Sequence, residues 1–269
     1  MNKEGERMGY WERKQEMSAK AIAHTEEMSL KFAQEIENSV KNTKIYRGDI
    51  RREEYVNAPY GRIILDPETT TQALETYLKD GEKIAILNFA SYKNPGGCFI
   101  DGSTAQEECL CHSSFLYNVL KEFQKSYYDI NTQQLNYSLY TNAGLYTPNV
   151  AFNFNGFGWI KTNVITCAAP DFKSAYRYYY MSKEENSKAL RERCRFVLDI
   201  AYDNQIETLI LGAFGCGVFG QDPEEVCTIF LEENNKMNRP FHKIVFAVPQ
   251  GTGLNAMANY YAFKRIIFG

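Results

Sequence analysis

Two stretches of this chain combine glycine with residue types suited to acid–base or anion chemistry. The first reads Asn94-Pro95-Gly96-Gly97-Cys98 and continues, seven residues later, with Gln106-Glu107-Glu108. Gly96 and Gly97 permit tight backbone geometry and the close approach of a ligand. Ser103 and Gln106 have the spacing of a capping box, which places Glu107 and Glu108 in the first turn of a helix. Neighbouring side chains on a helix project about 100° apart around its axis. Two carboxylates placed so can take different roles, one of them general acid/base. The plainer reading is that acids favour helix N-termini because of the macrodipole.

The second stretch is Gly212-Ala213-Phe214-Gly215-Cys216-Gly217-Val218-Phe219-Gly220. It joins an apolar strand to a helix opened by Asp222 as N-cap and Pro223 at the first helical position. Glycines at 212, 215, 217 and 220 expose backbone N–H groups, and a helix N-terminus attracts anions, so the loop is suited to cradle a diphosphate. It is not a P-loop, because no Gly-Lys-Ser/Thr follows, and it lacks GxGxxG spacing. Glycine-rich strand-to-helix turns also arise from packing alone.

Other chemistry-bearing residues have plain readings too. Cys109-Leu-Cys-His112 offers thiols and an imidazole, but structural zinc needs four ligands in tetrahedral reach, and only three histidines exist in the chain. Cys216 lies near a helix start, where thiols become reactive, yet no His stands near it in sequence to act as base. Tyr176, Tyr178, Tyr179 and Tyr180 can stack on bases, although aromatic clusters more often serve packing.

The surrounding pattern supplies the elements that must position these loops. Residues 8–40 read as one or two helices, with Met17, Ala21, Met28, Phe32 and Ile36 as an apolar stripe; a packed arm is the expected role, a partner-binding element the alternative. Strands are expected at 44–47, 83–89, 150–154, 163–168, 207–211 and 243–248, and helices at 69–79, 103–125, 182–203, after Pro223 and at the C-terminus. Residues 129–159, rich in Tyr, Asn and Gly, read as loop with short strands. Strands alternate with helices and several are continuously apolar, the pattern of a sheet covered on both faces. Ligands of such folds bind beyond the carboxyl ends of the strands, where both glycine-rich loops sit.

Composition narrows the function classes. The 269 residues suffice for one sizeable α/β domain with a small extension. The net charge of −3, with scattered Lys and Arg, gives no basic stripe, so no extended nucleic-acid groove is expected. No apolar run approaches a membrane span, and the polar N-terminus lacks a signal-peptide core. Seven cysteines, an odd number, fit reduced thiols and a cytoplasmic protein.

Taken together, Asn94 to Cys98 with Gln106-Glu107-Glu108, the Thr166-Cys-Ala-Ala-Pro170 strand end, and Gly212 to Phe219 with Asp222-Pro223 resemble the signature of the bacterial-type poly(ADP-ribose) glycohydrolases in order and spacing. The resemblance covers about residues 45–269. It implies a macrodomain-like three-layer α/β/α domain with a mixed central sheet over 45–269, preceded by a helical extension over 1–44. It also implies hydrolysis of ribose–ribose O-glycosidic bonds, without metal or cofactor. The partner would be ADP-ribose or poly(ADP-ribose), including chains on ADP-ribosylated proteins. Carried over by motif position, Glu108 is the acid/base and Glu107 orients ribose hydroxyls. The resemblance makes Asn94, Gly96, Gly97 and Gln106 part of the substrate-binding set. It assigns diphosphate N–H groups to Gly215, Cys216, Gly217 and Val218, and ribose packing to Phe219; Asn88 and Asn94 are candidates for ribose or loop hydrogen bonds. Cys98 stands where that family usually has a third glycine. This favours the alternative of a non-catalytic ADP-ribose reader, whereas the intact Gln106-Glu107-Glu108 favours the enzyme. A hydrolase of another ADP-ribosyl bond is the third reading.

Overall fold

The computed structural model describes residues 9–50, 61–78, 81–154, 158–237, 241–251 and 254–269. Residues 1–8, including the expected helix start at Met8, and the expected helix end at Lys79 lie outside the described residues. The N-terminal apolar stripe forms α1 (Tyr10–Lys31) and α2 (Ala33–Asn42), which part at Phe32, where φ is −124° and ψ 28°. Ala21, Met28 and Phe32 are buried in the core beside Phe115, with Phe32 edge-on to Trp159 at 4.7 Å. Burying a side chain of that size contributes about 1.5–3 kcal/mol.

Among the described residues, seven strands form one sheet: β1 (Lys44–Arg47), β2 (Arg62–Asp66), β3 (Ile84–Phe89), β4 (Ala143–Phe154), β5 (Gly158–Cys167), β6 (Thr208–Leu211) and β7 (Lys243–Ala247). Their order is β1-β4-β5-β3-β6-β7-β2; β5 through β2 run parallel, while β4 is antiparallel to both neighbours. The sheet is therefore mixed, and β3 lies at its centre. Side chains alternate across it, as the strand period of two requires. Ile84 and Ile86 face the layer of α1, α2 and the helices after β3, whereas Ala85 and Leu87 face the layer packed on the other side. The remaining helices are α3 (Thr70–Tyr77), α4 (Gln106–His112), α5 (Leu116–Leu120), α6 (Asp129–Thr132), α7 (Phe172–Tyr179), α8 (Lys183–Asp203), α9 (Pro223–Asn235) and α10 (Leu254–Phe268). α8 and α9 supply most of that second layer, with Phe263 of α10.

Three sequence expectations differ from this architecture. The helix expected over 103–125 is broken after His112. The Ser114 hydroxyl donates back to the Leu110 carbonyl and accepts from the Leu116 N–H, while the Ser113 carbonyl accepts from the Asn153 N–H of β4. Serine in a helix offers the backbone such competing bonds, and here a bridge from Ser114 to Phe152 of β4 takes over. The segment 129–159 holds a long strand rather than loop. β4 spans 12 residues by absorbing Pro148 and Asn149 (φ 58°) in a bulge between Thr147 and Val150. β2, which sequence periodicity missed, is a short edge strand beside β7.

α1 also braces the loop that follows β3. The Ser18 hydroxyl donates to the Ile100 carbonyl at 2.6 Å, and Gly102, at φ +80°, lies so close that a Cβ there would stand 2.2 Å from the Lys14 carbonyl oxygen and 2.8 Å from the Ser18 nitrogen. Gly81 has the same backbone angle, φ +81°, with nothing within 4 Å. Alanine at either position incurs about 1–2 kcal/mol for left-handed backbone; only Gly102→Ala must also displace α1. Chemical denaturation of both variants is expected to show Gly102→Ala the more destabilised. Equal losses would show that α1 does not hold this loop.

Candidate active site

β3 delivers the chain at Phe89 to the sheet's carboxyl edge, and α4 returns beside it. Gln106 locks the two together. Its Oε1 accepts from the Phe89 N–H at 2.9 Å, and its Nε2 donates to the Leu87 carbonyl and the Thr70 hydroxyl. The expected capping box is absent: Ala105 is the N-cap, without a side-chain bond, and Gln106 reaches sideways to the sheet. Glu107 and Glu108 still occupy the first turn, and both are buried.

The two carboxyl groups converge instead of diverging. A Cβ on Gly97 would lie 2.5 Å from Glu108 Oε1 and 2.9 Å from Glu107 Oε2, so only glycine (φ +62°) lets the loop close over both. Glu107 Oε1 accepts from Asn88 Nδ2 at 3.1 Å and Oε2 from the Ser91 N–H at 2.7 Å. Glu108 Oε1 accepts from the Cys98 N–H at 2.9 Å, whereas its Oε2 is buried with no partner. A buried carboxylate oxygen left unpaired is costly, and Glu108 lines a cleft.

That cleft has a volume of about 500 Å³, within the range of small-molecule sites. Gly97, Cys98, Gln106, Glu107 and Glu108 form one wall, and Gly215, Gly217, Val218 and Phe219 the other. Residues more than 100 apart in sequence thus meet. Among the described residues, the N–H groups of Gly215, Gly217, Val218 and Phe219 have no protein acceptor. The Cys216 N–H is bonded to the Ala213 carbonyl at 3.1 Å, and burial pushes its thiol well above the ordinary range, away from thiolate character. The start of α9 is closed by its own Asp222, whose carboxylate accepts from the N–H groups of Glu224 and Glu225. Two N–H groups of the helix terminus are therefore already taken, whereas those of Gly215, Gly217, Val218 and Phe219 in the loop are not.

Other sequence candidates stand back from the cleft. Asn94 is exposed, and its backbone shapes the turn through bonds to the Ser91 hydroxyl and the Gly97 N–H. Gly96 packs against Tyr117 and Cys111. Asn88 is buried beneath Glu107 and also donates to Thr166. Cys109 is exposed while Cys111 packs in the core, and no described cluster of His, Cys, Asp or Glu is arranged to hold a metal. Sequence reasoning missed Phe89 and Phe214, in ring contact at 5.8 Å, and Ala169, Ala213 and Asn259, which also line the cleft. Asn259 arrives from α10 and carried no local motif; only the fold brings it here.

Burial pushes the Glu107 carboxyl up to about 8, against the pull of the Ser91, Asn88 and Gly96 donors and with a further push from Glu108. Folded Glu107 thus holds its proton more tightly than the unfolded chain does. Its contribution to stability is complete below the ordinary value of 4.5 and is lost as pH rises to about 8. Across that window stability is expected to fall by up to about 1.4 kcal/mol per pH unit. Glu107→Gln, although less stable at low pH, should flatten this slope in denaturant titrations; an unchanged slope would place the proton elsewhere.

Residues 12–153 match the family described as microbial-type PARG, catalytic domain, where PARG is poly(ADP-ribose) glycohydrolase; the match spans more than half of the chain. Among curated protein sequences none matches this chain. The solved structure of the PARG from Thermomonospora curvata is 29% identical, covers 94% of this chain and 99% of its own, and superposes with a TM-score of 0.78. The same enzyme bound to the inhibitor ADP-HPD aligns at 29% identity over 93% and 99% of the two chains, again at 0.78. A mutant PARG from Deinococcus radiodurans in complex with ADP-ribose is 30% identical over 87% of this chain and 97% of its own, with a TM-score of 0.75. The Gly97-roofed carboxyl pair and the facing glycine loop therefore sit in a chain that belongs to the microbial-type poly(ADP-ribose) glycohydrolase catalytic-domain family.

Proposed function

We propose that this protein hydrolyses the ribose–ribose O-glycosidic bonds of poly(ADP-ribose), including chains on ADP-ribosylated proteins, and releases ADP-ribose. The observation that carries the reading is Glu108, which lines the cleft and whose buried Oε2 has no partner among the described residues, facing a wall whose N–H groups likewise have none there. The N–H groups of Gly215, Gly217, Val218 and Phe219 hold the diphosphate, and the Phe219 ring packs on the terminal ribose. Glu108, anchored through Oε1 to Cys98, turns Oε2 toward the glycosidic oxygen. It donates a proton to that oxygen as the bond to the anomeric carbon breaks. Its carboxylate then takes a proton from the water that attacks the oxocarbenium-like carbon, which restores the acid. Burial raises the adjacent Glu107 carboxyl to about 8, so Glu107 stands protonated beside Glu108 near neutrality. Glu107, fixed by Asn88 and Ser91, orients the ribose hydroxyls. The free thiols suit a reducing compartment such as the cytoplasm.

Glu108→Gln is expected to lower release of ADP-ribose from purified polymer by at least about 1,000-fold, the upper part of the general acid–base range. Calorimetry on the same preparation should show ADP-ribose affinity little changed, because the N–H cradle is untouched. Retained turnover would refute the role of Glu108. Binding without release by the unaltered protein would identify a reader.

Cys98 bears on the same choice. It is absent from the described non-glycine residues with positive φ, so the third glycine is not required for this backbone. Its own N–H is what holds Glu108. Cys98→Gly is expected to leave turnover within about threefold and to destabilise the protein slightly through backbone entropy, by about 0.5–1 kcal/mol. A large gain in activity would show that the cysteine side chain obstructs the cleft.

A further inference from the structure

Beside the cleft, α7 presents a row of aromatic side chains to solvent. Tyr176, Tyr178 and, at its C-cap, Tyr180 are 64, 63 and 88% exposed, and Tyr137 from the loop before β4 meets Tyr179 edge-on at 5.7 Å. Large exposed aromatic patches are uncommon on soluble domains and mark binding surfaces. Between them runs a groove of about 680 Å³ lined by Phe172, Lys173, Tyr176, Arg177, Tyr180 and Gly220. Lys173 and Arg177 are exposed there and form no ion pair among the described residues. The loop that carries Tyr137 is also unusual. Asn136, Tyr137, Ser138 and Tyr140 all have positive φ, from 43° to 68°, and Tyr180 has φ 56°. Left-handed backbone in non-glycine residues is uncommon and concentrates at ligand sites.

The groove continues the cleft. Gly220 directly follows Phe219, the Lys173 N–H donates to the Phe219 carbonyl at 3.0 Å, and Tyr140 packs edge-on against the Phe219 ring. Phe219 of the cleft and Gly220 of the groove are thus consecutive in the chain. Tyrosine faces interleaved with Lys173 and with Arg177, whose guanidinium lies over the Tyr178 ring at 5.4 Å, complement a ligand that alternates flat bases with phosphates. Resting on the reading of the cleft given above, we propose that this groove binds a second ADP-ribose unit of the polymer, adjacent to the one in the cleft. Tyr176 and Tyr180 stack its adenine, and Lys173 and Arg177 pair with its diphosphate. The protein then grips the polymer on both sides of Phe219, and its affinity for polymer exceeds that for monomeric ADP-ribose.

The test is a triple variant, Tyr176→Ala, Arg177→Gln and Tyr180→Asn. All three positions are exposed, and asparagine tolerates the left-handed backbone at 180. KM for long purified poly(ADP-ribose) should rise about tenfold or more, with kcat, melting temperature and monomeric ADP-ribose affinity unchanged. In a Glu108→Gln background, the same three changes should weaken polymer binding by a similar factor, a readout independent of cleavage. An unaltered polymer KM and affinity overturns the groove. A fall in kcat and melting temperature together, without a selective loss of polymer binding, reduces it to a structural role. Conversion of a dimer to a monomer in sedimentation, with polymer KM unchanged, assigns the patch to a second copy of the chain and also overturns it. If the unaltered protein binds polymer but releases nothing, the catalytic reading fails while the binding comparison still decides the groove.

Discussion

Two carboxyl groups are buried side by side at the first turn of α4, and the surrounding structure is arranged to make that burial tolerable. Carboxylates removed from water are costly unless hydrogen-bonded or protonated. Here Asn88, the Ser91 N–H and the Cys98 N–H supply donors from the end of β3 and the loop after it. Gly97 removes the one side chain that would collide with both groups. One oxygen, Glu108 Oε2, is left over. In a site built only for stability that would be a defect; it is the atom to which the proposed reading gives the acid/base role.

The carboxyl pair stays fixed because its support is rigid on both sides. Gln106 ties α4 to β3, the central and fully covered strand, so the first helical turn cannot shift relative to the sheet. On the outer side, α1 presses on Gly102 and bonds to Ile100, and His24 reaches the Ser114 carbonyl where α4 ends. The N-terminal helices thus act as a brace for the loop of the site. A buried arginine does comparable work behind the β5 end: Arg193 of α8 donates to Asn142, to the Ala168 carbonyl and to the Leu139 carbonyl. It joins the loop preceding β4 to the strand end that borders the cleft.

The opposite wall works by leaving donors unsatisfied. The glycine loop satisfies part of its backbone internally, with Cys216, Gly220 and Gln221 bonded within it, and α9 is capped by Asp222. The N–H groups without an acceptor among the described residues belong to Gly215, Gly217, Val218 and Phe219, all of which line the cleft. In the proposed reading, selectivity for an anion comes from a few preorganised backbone dipoles, so a chain with net charge −3 would need no basic surface to hold a diphosphate.

The sequence by itself determined the chemistry-bearing segments. Glycine content, the Glu107-Glu108 pair and the Asp222-Pro223 cap are local signals, because turn geometry and helix starts depend on a few adjacent residues. The alternation of apolar strands with helices announced a sheet covered on both faces, since a strand buried on both sides must be apolar throughout. Other features were settled only by contacts distant in sequence. The break after His112 depends on β4, more than 30 residues away, which competes for the Ser113 and Ser114 backbone. Gln106 has capping-box spacing, yet its amide is taken by β3 and Thr70. Asn259 has no motif at all and reaches the cleft because α10 packs there. Even the convergence of Glu107 and Glu108, which helix geometry sets apart, required Gly97 and the buried donors around it. Local sequence encodes what a segment prefers; which of its polar groups remain free to act is decided by the partners that the tertiary structure brings to the others.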